Sequence, residues 1–314
     1  MDSHLTGGIS IIVPTYNRYN VLVRLVQHLL SMDHPPFEII IVDQSDVREN
    51  AHCSQLTELV RKYDTVRWII REKPSPSAAR NVGILEAKFD TLLFLDDDVL
   101  PLDGDFFQAH LEGYSDRCVA AVCGPILKKR DEDLNANLPE EELPSRLRRI
   151  PGSWLFGGLG WQYGHKRHRI IFPTCNGSVR RKVALEIGGF DENLLLCDDH
   201  DFAARLDKAG YLCLWEPRAR VVDLSAPTGG TRSPHMLAHR WPRWSDRRRI
   251  PVLYFWVKNY PNRYVLTRIV LPHFMRRCFN RHTLLNPVLF IYSLFMNMVF
   301  LLWIFFGKRN LIRS

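Results

Sequence analysis

Residues 91–98 read TLLFLDDD, an apolar run that leads directly into three consecutive aspartates. Such a run is typical of a strand buried on both faces of a parallel sheet. Three adjacent carboxylates at the end of a strand repel one another unless a cation lies among them. The stretch therefore predicts a buried strand over Thr91–Leu95, followed by an acidic turn that binds a cation.

The same pattern recurs upstream of this strand. Apolar runs at Ile9–Val13, Phe37–Val42 and Val66–Ile70 predict three more strands, and apolar residues at helical spacing separate them. Alternating strands and helices indicate an α/β fold with a doubly wound, mostly parallel sheet. Ligands of such sheets bind outside the carboxyl ends of the strands. We therefore expect a polar ligand site where residues 14–17, 43–45 and 96–98 meet.

The second half of this region is less regular. Cys118–Cys123 predicts a strand, Ser178–Ile187 a helix, and Asp201–Gly210 a helix that ends at its glycine. Two further segments, Lys128–Arg149 and Gly152–Gly164, are interpreted as loops that shape the pocket.

Charge is distributed unevenly along the chain. The 314 residues carry a net charge of +8, but residues 240–282 carry +10 and residues 283–314 carry +3, which leaves −5 on the first 239. An acidic body argues against a nucleic-acid-binding protein, and a basic tail favours contact with an anionic surface. The composition, 46% apolar and 24% charged, excludes a disordered chain and a collagen-like repeat.

The seven cysteines contain no C-x-x-C pair, so neither a zinc site nor a disulfide framework is indicated. They are interpreted as reduced residues of a cytoplasmic protein. The first residues, MDSHLTGG, have no basic and apolar regions typical of a signal peptide, and none is expected.

Residues 284–306 contain no charged residue, and 23 residues are enough for a helix of about 30 Å. Basic residues flank this segment, as they do in membrane helices. Pro287 and Asn297 weaken the interpretation, so a buried packing or oligomer helix stays as the alternative. Residues 226–283 interleave aromatic and basic side chains, which favours an interfacial segment on a bilayer. Nucleic-acid binding is a weaker alternative. We thus expect a catalytic domain over 1–225, the interfacial segment, the membrane helix and a basic tail over 307–314.

Two acidic clusters carry the candidate chemistry. Asp96, Asp97 and Asp98 offer the hard oxygen ligands that Mg²⁺ or Mn²⁺ prefers, although a solvated turn or helix cap is the alternative. Residues 198–201 read DDHD, and a carboxylate there could act as a general base or cap a helix.

Six motifs in register resemble family 2 glycosyltransferases. They are IIVPTYNR at 11–18, IVDQS at 41–45, SAARNVG at 77–83, FLDDDVLP at 94–101, GGFDE at 188–192, and DDHDF at 198–202 with Arg205. The resemblance covers about residues 8–222. It implies a GT-A fold, and an inverting, metal-dependent transfer of a sugar from a nucleotide donor, expected to be a UDP- or dTDP-sugar.

The resemblance also assigns site residues. On the nucleotide-sugar side it implies Pro14, Thr15, Tyr16, Arg18, Asp43, Gln44, Arg80, Asn81, Asp96 and Asp97. Asp98 would hold Mn²⁺ or Mg²⁺, and Asp199 would be the general base. The acceptor side would include Asn176, Gly177, Asp198 and Asp201. Asp223 stands where some members have a metal-contacting histidine.

The expected partners are a nucleotide-sugar donor, a saccharide or lipid-linked acceptor, and a membrane at its cytoplasmic face. Such an enzyme would serve synthesis of envelope polysaccharide or lipid-linked saccharide. A nucleotidyltransferase is disfavoured, because residues 14–17 form no glycine-rich basic loop. A non-catalytic membrane scaffold with a transferase fold is the remaining alternative.

Overall fold

The computed structural model describes residues 7–46, 51–102, 104–128, 172–194, 196–226 and 249–260, and residues 286, 288, 290, 291, 294, 295, 298 and 302. The chain divides into two compact units, 1–245 and 246–314. The predicted pocket loops, at 128–149 and 152–164, lie outside the described residues except for Lys128.

The first unit is built on a seven-stranded sheet in the order β3-β2-β1-β4-β8-β6-β9. Its strands are β1 (Ile9–Thr15), β2 (Phe37–Asp43), β3 (Val66–Ile70), β4 (Thr91–Phe94), β6 (Val119–Cys123), β8 (Gly177–Arg180) and β9 (Leu212–Trp215). All neighbouring pairs run parallel except those of β8 with β4 and β6. The predicted α/β class with a mostly parallel sheet is confirmed.

Helices connect the strands and cover both faces of the sheet. They are α1 (Tyr19–Ser31), α2 (Ala51–Lys62), α3 (Pro76–Glu86), α4 (Phe106–Glu112), α5 (Arg181–Glu186) and α6 (Asp198–Lys208). The Ser75 side chain accepts a hydrogen bond from the Ala78 amide and so caps α3, with Pro76 at its first turn. Gly210 follows α6 with φ of +84°, which is the left-handed conformation that ends helices.

One predicted element differs from the structure. Residues 178–187 are predicted as a helix, but Gly177–Arg180 form β8, and the helix begins only at Arg181. Strand β8 lies between β4 and β6 and is antiparallel to both. Its four residues are too few to show the period of a strand in the sequence.

A second, three-stranded sheet lies beside the acidic turn. It contains β5 (Val99–Pro101), β10 (Val221–Asp223) and β7 (Ile126–Lys128), in the order β5-β10-β7. The turn at Asp98 is fixed from this side, because the Leu224 amide donates to the Asp98 carbonyl oxygen at 2.8 Å. This sheet was not predicted from the sequence.

The core consists of two apolar clusters, one against each face of the main sheet. Ile11 belongs to the cluster that includes α1, and Ile12 belongs to the cluster of Phe94, Phe190 and Phe202. Successive strand residues point to opposite faces, so an uninterrupted apolar run supplies both clusters. This explains why β1, β2 and β4 are recognisable in the sequence.

In the second unit the structure describes α7 (Arg249–Asn259) and single helical residues between 288 and 302. No helix among the described residues is long and apolar enough to cross a membrane. Most of the predicted membrane segment, 284–306, lies outside that set.

A buried polar network joins α4 to β8. His110 is fully buried, with its Nδ1 at 2.9 Å from Ser178 Oγ and its Nε2 at 3.2 Å from Asn176 Oδ1. Burial lowers the pKa of His110 from 6.5 to about 4, although the Asn176 hydrogen bond acts in the opposite direction. The imidazole is therefore neutral at physiological pH.

We expect acid to destabilise the fold through His110. Between pH 6.5 and about 4, His110 is protonated in the unfolded chain but not in the folded chain. The free energy of unfolding therefore decreases as the pH is lowered through this range. The expected loss is about 3 kcal/mol. Chemical denaturation of His110→Gln at several pH values should lack this part of the pH dependence. The exposed His34→Gln is the matched control, and an unchanged slope in His110→Gln would contradict the assignment.

Candidate functional site

The carboxyl ends of β1, β2 and β4 lie at one edge of the sheet, as predicted. Thr15, the last residue of β1, donates from Oγ1 to Asp97 Oδ2 at 2.7 Å. Gln44, just after β2, donates from its backbone amide to the Thr15 carbonyl oxygen at 3.0 Å. The structure therefore brings all three predicted polar clusters together.

Arg18 partly compensates the charge of the acidic turn. Its guanidinium Nη1 lies 2.6 Å from Asp98 Oδ2, and its Nη2 lies 3.3 Å from Asp97 Oδ1. The Ala226 amide also donates to Asp98 Oδ2, at 3.1 Å. Burial raises the pKa of Asp97 to about 7, although the Arg18 charge and the Thr15 hydrogen bond act to lower it. A cation does lie among the aspartates, and here it is a protein side chain.

Arg80 joins the two acidic clusters that the sequence separates by about 100 residues. This residue of α3 is 5% exposed, and its Nη1 lies 2.6 Å from Asp198 Oδ2 while its Nη2 lies 3.1 Å from Asp96 Oδ1. Ser77, one turn earlier, donates to the Leu194 carbonyl oxygen at 3.1 Å and lies 3.4 Å from Asp198 Oδ2. The acidic turn and the start of α6 thus share one buried guanidinium.

The first turn of α6 presents the candidate base. Cys197, just before the helix, has φ of +65°, a conformation that costs a residue with a side chain about 1 kcal/mol or more. Asp199 Oδ1 accepts the His200 amide at 2.8 Å and lies 2.7 Å from His200 Nδ1. Burial acts to raise the pKa of Asp199, but the hydrogen bonds and charge of His200 lower it on balance. The carboxylate is therefore ionised at neutral pH.

Two residues predicted for the nucleotide-sugar side, Asp43 and Gln44, form hydrogen bonds with other groups of the protein. Asp43 is fully buried and accepts from the Tyr19 hydroxyl, the Trp68 indole and the Ser45 amide. Gln44 is 2% exposed, donates to the Lys73 carbonyl oxygen and accepts from the Ser75 amide. These contacts shape the edge of the site. A direct contact of either residue with the nucleotide stays a prediction.

Three other predicted residues form hydrogen bonds or ion pairs within the protein. Asn81 exchanges two hydrogen bonds with the backbone of Phe190, at 2.7 and 2.9 Å. Asn176 is fully buried and donates to the carbonyl oxygens of Pro125 and Ala219. Asp201 is also fully buried, 2.8 Å from Arg205 Nε. All three side chains are thus engaged by other protein groups, and their contact with a ligand stays a prediction.

The remaining predicted residues lie at or beside the edge. Pro14 is half-buried in β1, and the buried Tyr16 donates its hydroxyl hydrogen to Asp46. Gly177 begins β8, where a Cβ atom would lie 2.6 Å from the Pro173 carbonyl oxygen. Ser77 and His200 were not assigned roles from the sequence, although both lie inside its motifs.

The donor set suits a divalent cation in one respect. Carboxylate oxygens are the ligands of Mg²⁺ and Mn²⁺, and such ions are often held by one or two carboxylates together with phosphate oxygens. Among the residues that the structure describes, no group of three or more His, Cys, Asp or Glu side chains is placed to hold a metal ion. To hold a metal ion, Asp98 would therefore need further oxygen ligands from a bound molecule.

The chain is similar in sequence to known glycosyltransferases. An uncharacterized glycosyltransferase of Rickettsia felis is 35% identical over 92 residues, which are 29% of this chain and 15% of that protein. The O-antigen chain rhamnosyltransferase RfbN of Salmonella typhimurium is 22% identical over 204 residues, which are 65% of this chain and 62% of RfbN.

The fold is shared with solved glycosyltransferase structures. The mannosyltransferase PcManGT from Pyrobaculum calidifontis, in complex with GDP-Man and Mn²⁺, superposes with a TM-score of 0.53 at 18% identity, over 80% of this chain and 63% of that one. The fold of this chain is therefore GT-A-like.

The chain spans less than two thirds of the length of each of these three proteins. The sequence profile of Glycosyl transferase family 2 matches residues 10–187, more than half of the chain. The chain therefore belongs to glycosyltransferase family 2.

Proposed function

We propose that this protein transfers a sugar from a nucleoside diphosphate donor to an acceptor hydroxyl with inversion at the anomeric carbon. The observation that carries the proposal is the Arg80 bridge between Asp96 and Asp198. This bridge supports a site that combines the acidic turn, as the proposed cation-binding group, with Asp199, as the proposed base. Transfer of a glycosyl group needs both, a neutralised leaving group and a base near the acceptor.

On the donor side, the strand ends would hold the nucleotide. Arg18 carries the charge and the planar donor geometry that suit phosphate, and it lies against Asp97 and Asp98. Asp98 would hold Mn²⁺ or Mg²⁺ together with the diphosphate. A divalent cation bound there supplies Lewis acidity that neutralises the departing diphosphate. PcManGT, whose structure contains GDP-Man and Mn²⁺, supports both the donor class and the metal.

On the acceptor side, Asp199 would accept the proton of the attacking hydroxyl. Its lowered pKa keeps Asp199 ionised. The first turn of α6, which contains Asp199, is held in place by the ion pair of the neighbouring Asp198 with Arg80. A base that acts opposite the leaving group allows direct displacement, which inverts the anomeric carbon without a covalent intermediate.

We further propose that the acceptor belongs to envelope polysaccharide or lipid-linked saccharide synthesis at the cytoplasmic face of a membrane. RfbN, an O-antigen chain rhamnosyltransferase, supports the acceptor class. In the C-terminal unit, the described residues include six exposed apolar side chains, and the spacing of five of them, three or four positions, predicts one apolar face: Val288, Ile291, Phe295, Met298 and Leu302, with Leu294 beside them. Basic residues at 276, 277 and 281 precede this face and would attract anionic lipid.

Nucleotide binding can be tested by thermal unfolding. We expect one of UDP, GDP, dTDP and CDP to raise the midpoint in the presence of Mn²⁺, because a ligand at 100 times its Kd stabilises by about 2.7 kcal/mol. Asp98→Ala should lose the shift, whereas Asp105→Asn, outside the site, should keep it. A folded protein that responds to none of the four nucleotides would favour the non-catalytic scaffold.

Inversion and the role of Asp199 can be tested on donor hydrolysis, with water as the acceptor. We expect the first sugar product, followed by proton NMR before mutarotation, to have the opposite anomeric configuration to the donor. Asp199→Asn should lower the rate by about 10²–10⁴-fold, the usual contribution of a general base, and leave the nucleotide-induced thermal shift intact. A product that retains configuration would refute direct displacement.

Membrane binding can be tested by vesicle flotation of the full chain. We expect the protein to float with vesicles rich in phosphatidylglycerol, and much less with neutral vesicles. Phe295→Glu and Met298→Glu should reduce flotation about tenfold or more, because each places a charge on the apolar face. Leu85→Glu, an exposed apolar position in the first unit, is the control. Equal flotation of all variants would exclude this face as the contact.

A further inference from the structure

His200 is the immediate partner of the proposed base. Two hydrogen-bonding groups of this residue, its backbone amide and its Nδ1, lie within 2.8 Å of Asp199 Oδ1. Because an ionised carboxylate only accepts hydrogen bonds, the Nδ1 must carry the proton. The imidazole is 39% exposed, and the carboxylate is 19% exposed. The pair is therefore open enough to exchange protons with water.

The three carboxylates in the first turn of α6 are partnered differently. Asp198 lies 2.6 Å from Arg80, and Asp201 lies 2.8 Å from Arg205. An arginine partner stays charged at every relevant pH, so it fixes a carboxylate permanently. Asp199 alone among the three is paired with a histidine, the side chain that gains and loses its charge near neutral pH.

We propose that His200 is a positioning residue that holds Asp199 through Oδ1, directs Oδ2 to the acceptor hydroxyl, and sets the strength of the base by its own charge. The inference rests on the proposed function, in which Asp199 is the base. In the step, the acceptor O–H bond breaks and its proton moves to Asp199 Oδ2. The acceptor oxygen forms the new bond to the anomeric carbon, and the sugar–phosphate bond breaks with its electron pair leaving on the diphosphate.

The charges around the pair fix the direction of the effect. Asp199 is faced by Arg80 from α3, by Asp198 from its own helix, and by the thiols of Cys175 and Cys197. His200 is faced by Asp198 and Asp199. Burial acts to lower the pKa of His200, but the hydrogen bond and charge of Asp199 raise it above 6.5 on balance.

A pH-dependent rate follows from this arrangement. Below the raised pKa of His200 the imidazolium lowers the basicity of Asp199, and the proton transfer is slow. As the pH rises through that pKa, the positive charge is lost while the Nδ1 hydrogen bond remains, and Asp199 becomes the stronger base. We therefore expect the turnover rate to rise across the neutral range, with a midpoint above pH 6.5.

Two substitutions separate the hydrogen bond from the charge. His200→Asn keeps an N–H donor for Asp199 Oδ1 but does not titrate, so the rise of kcat with pH, about tenfold in the unaltered protein, should disappear from the neutral range. His200→Ala removes both features, so its kcat should also lack the neutral-range rise and should lie about tenfold below that of His200→Asn, with the KM for the donor unchanged. His52→Asn, an exposed histidine of α2, should reproduce the original profile.

A second measurement is independent of turnover. In ¹⁵N-histidine NMR we expect His200 to titrate above pH 6.5, and Asp199→Asn should return its pKa towards about 6.5. A normal His200 titration, or a neutral-range rise of kcat that survives in His200→Asn, would overturn the inference. If Asp199→Asn instead retained the full hydrolysis rate, the proposed base itself would be wrong, whatever His200 does.

Discussion

The site depends on one buried cation, the guanidinium of Arg80. Removing a charge from water is costly, and it is tolerated only where partners replace the lost hydration. Arg80 obtains these partners from Asp96, at the end of β4, and from Asp198, at the start of α6. Phe190 adds its ring at 5.6 Å from the guanidinium carbon. Since either carboxylate alone would leave the charge poorly compensated, the sheet edge and α6 are constrained to meet at this point.

The same rule of paired charges organises the rest of the site. Arg18 forms ion pairs with Asp97 and Asp98, so the charge of the acidic turn is partly compensated before any ligand arrives. A cation that enters this turn must compete with a guanidinium, and one accompanied by a diphosphate has an advantage, because the phosphates give Arg18 a new anionic partner. In the proposed function, charge balance would therefore make the binding of metal, diphosphate and Arg18 one event.

The sequence predicted the part of the fold that long apolar runs encode. β1, β2 and β4 could be found because their residues are mostly apolar on both faces, and β3 was found although Arg67 interrupts its apolar run. β8 could not, because Gly177–Arg180 is too short to show a period and runs directly into α5. The motifs also predicted that the polar ends of β1, β2 and β4 meet at one edge, and in the structure they do. They could not tell which side chains the protein itself engages, and both Asn81 and Asn176 donate hydrogen bonds to backbone carbonyl oxygens.

The distinction between bracing and reacting groups explains why the base is expected at Asp199 and not beside it. Asp198 and Asp201 are each held by an arginine, whose charge does not change with pH, so these two carboxylates stay engaged in ion pairs. Asp199 is held on one oxygen by a residue whose charge can be removed. A group that must be ionised, oriented and still basic needs such a partner, since full neutralisation would orient the carboxylate at the expense of its reactivity. The histidine satisfies the orientation requirement at every pH and the reactivity requirement once it is neutral.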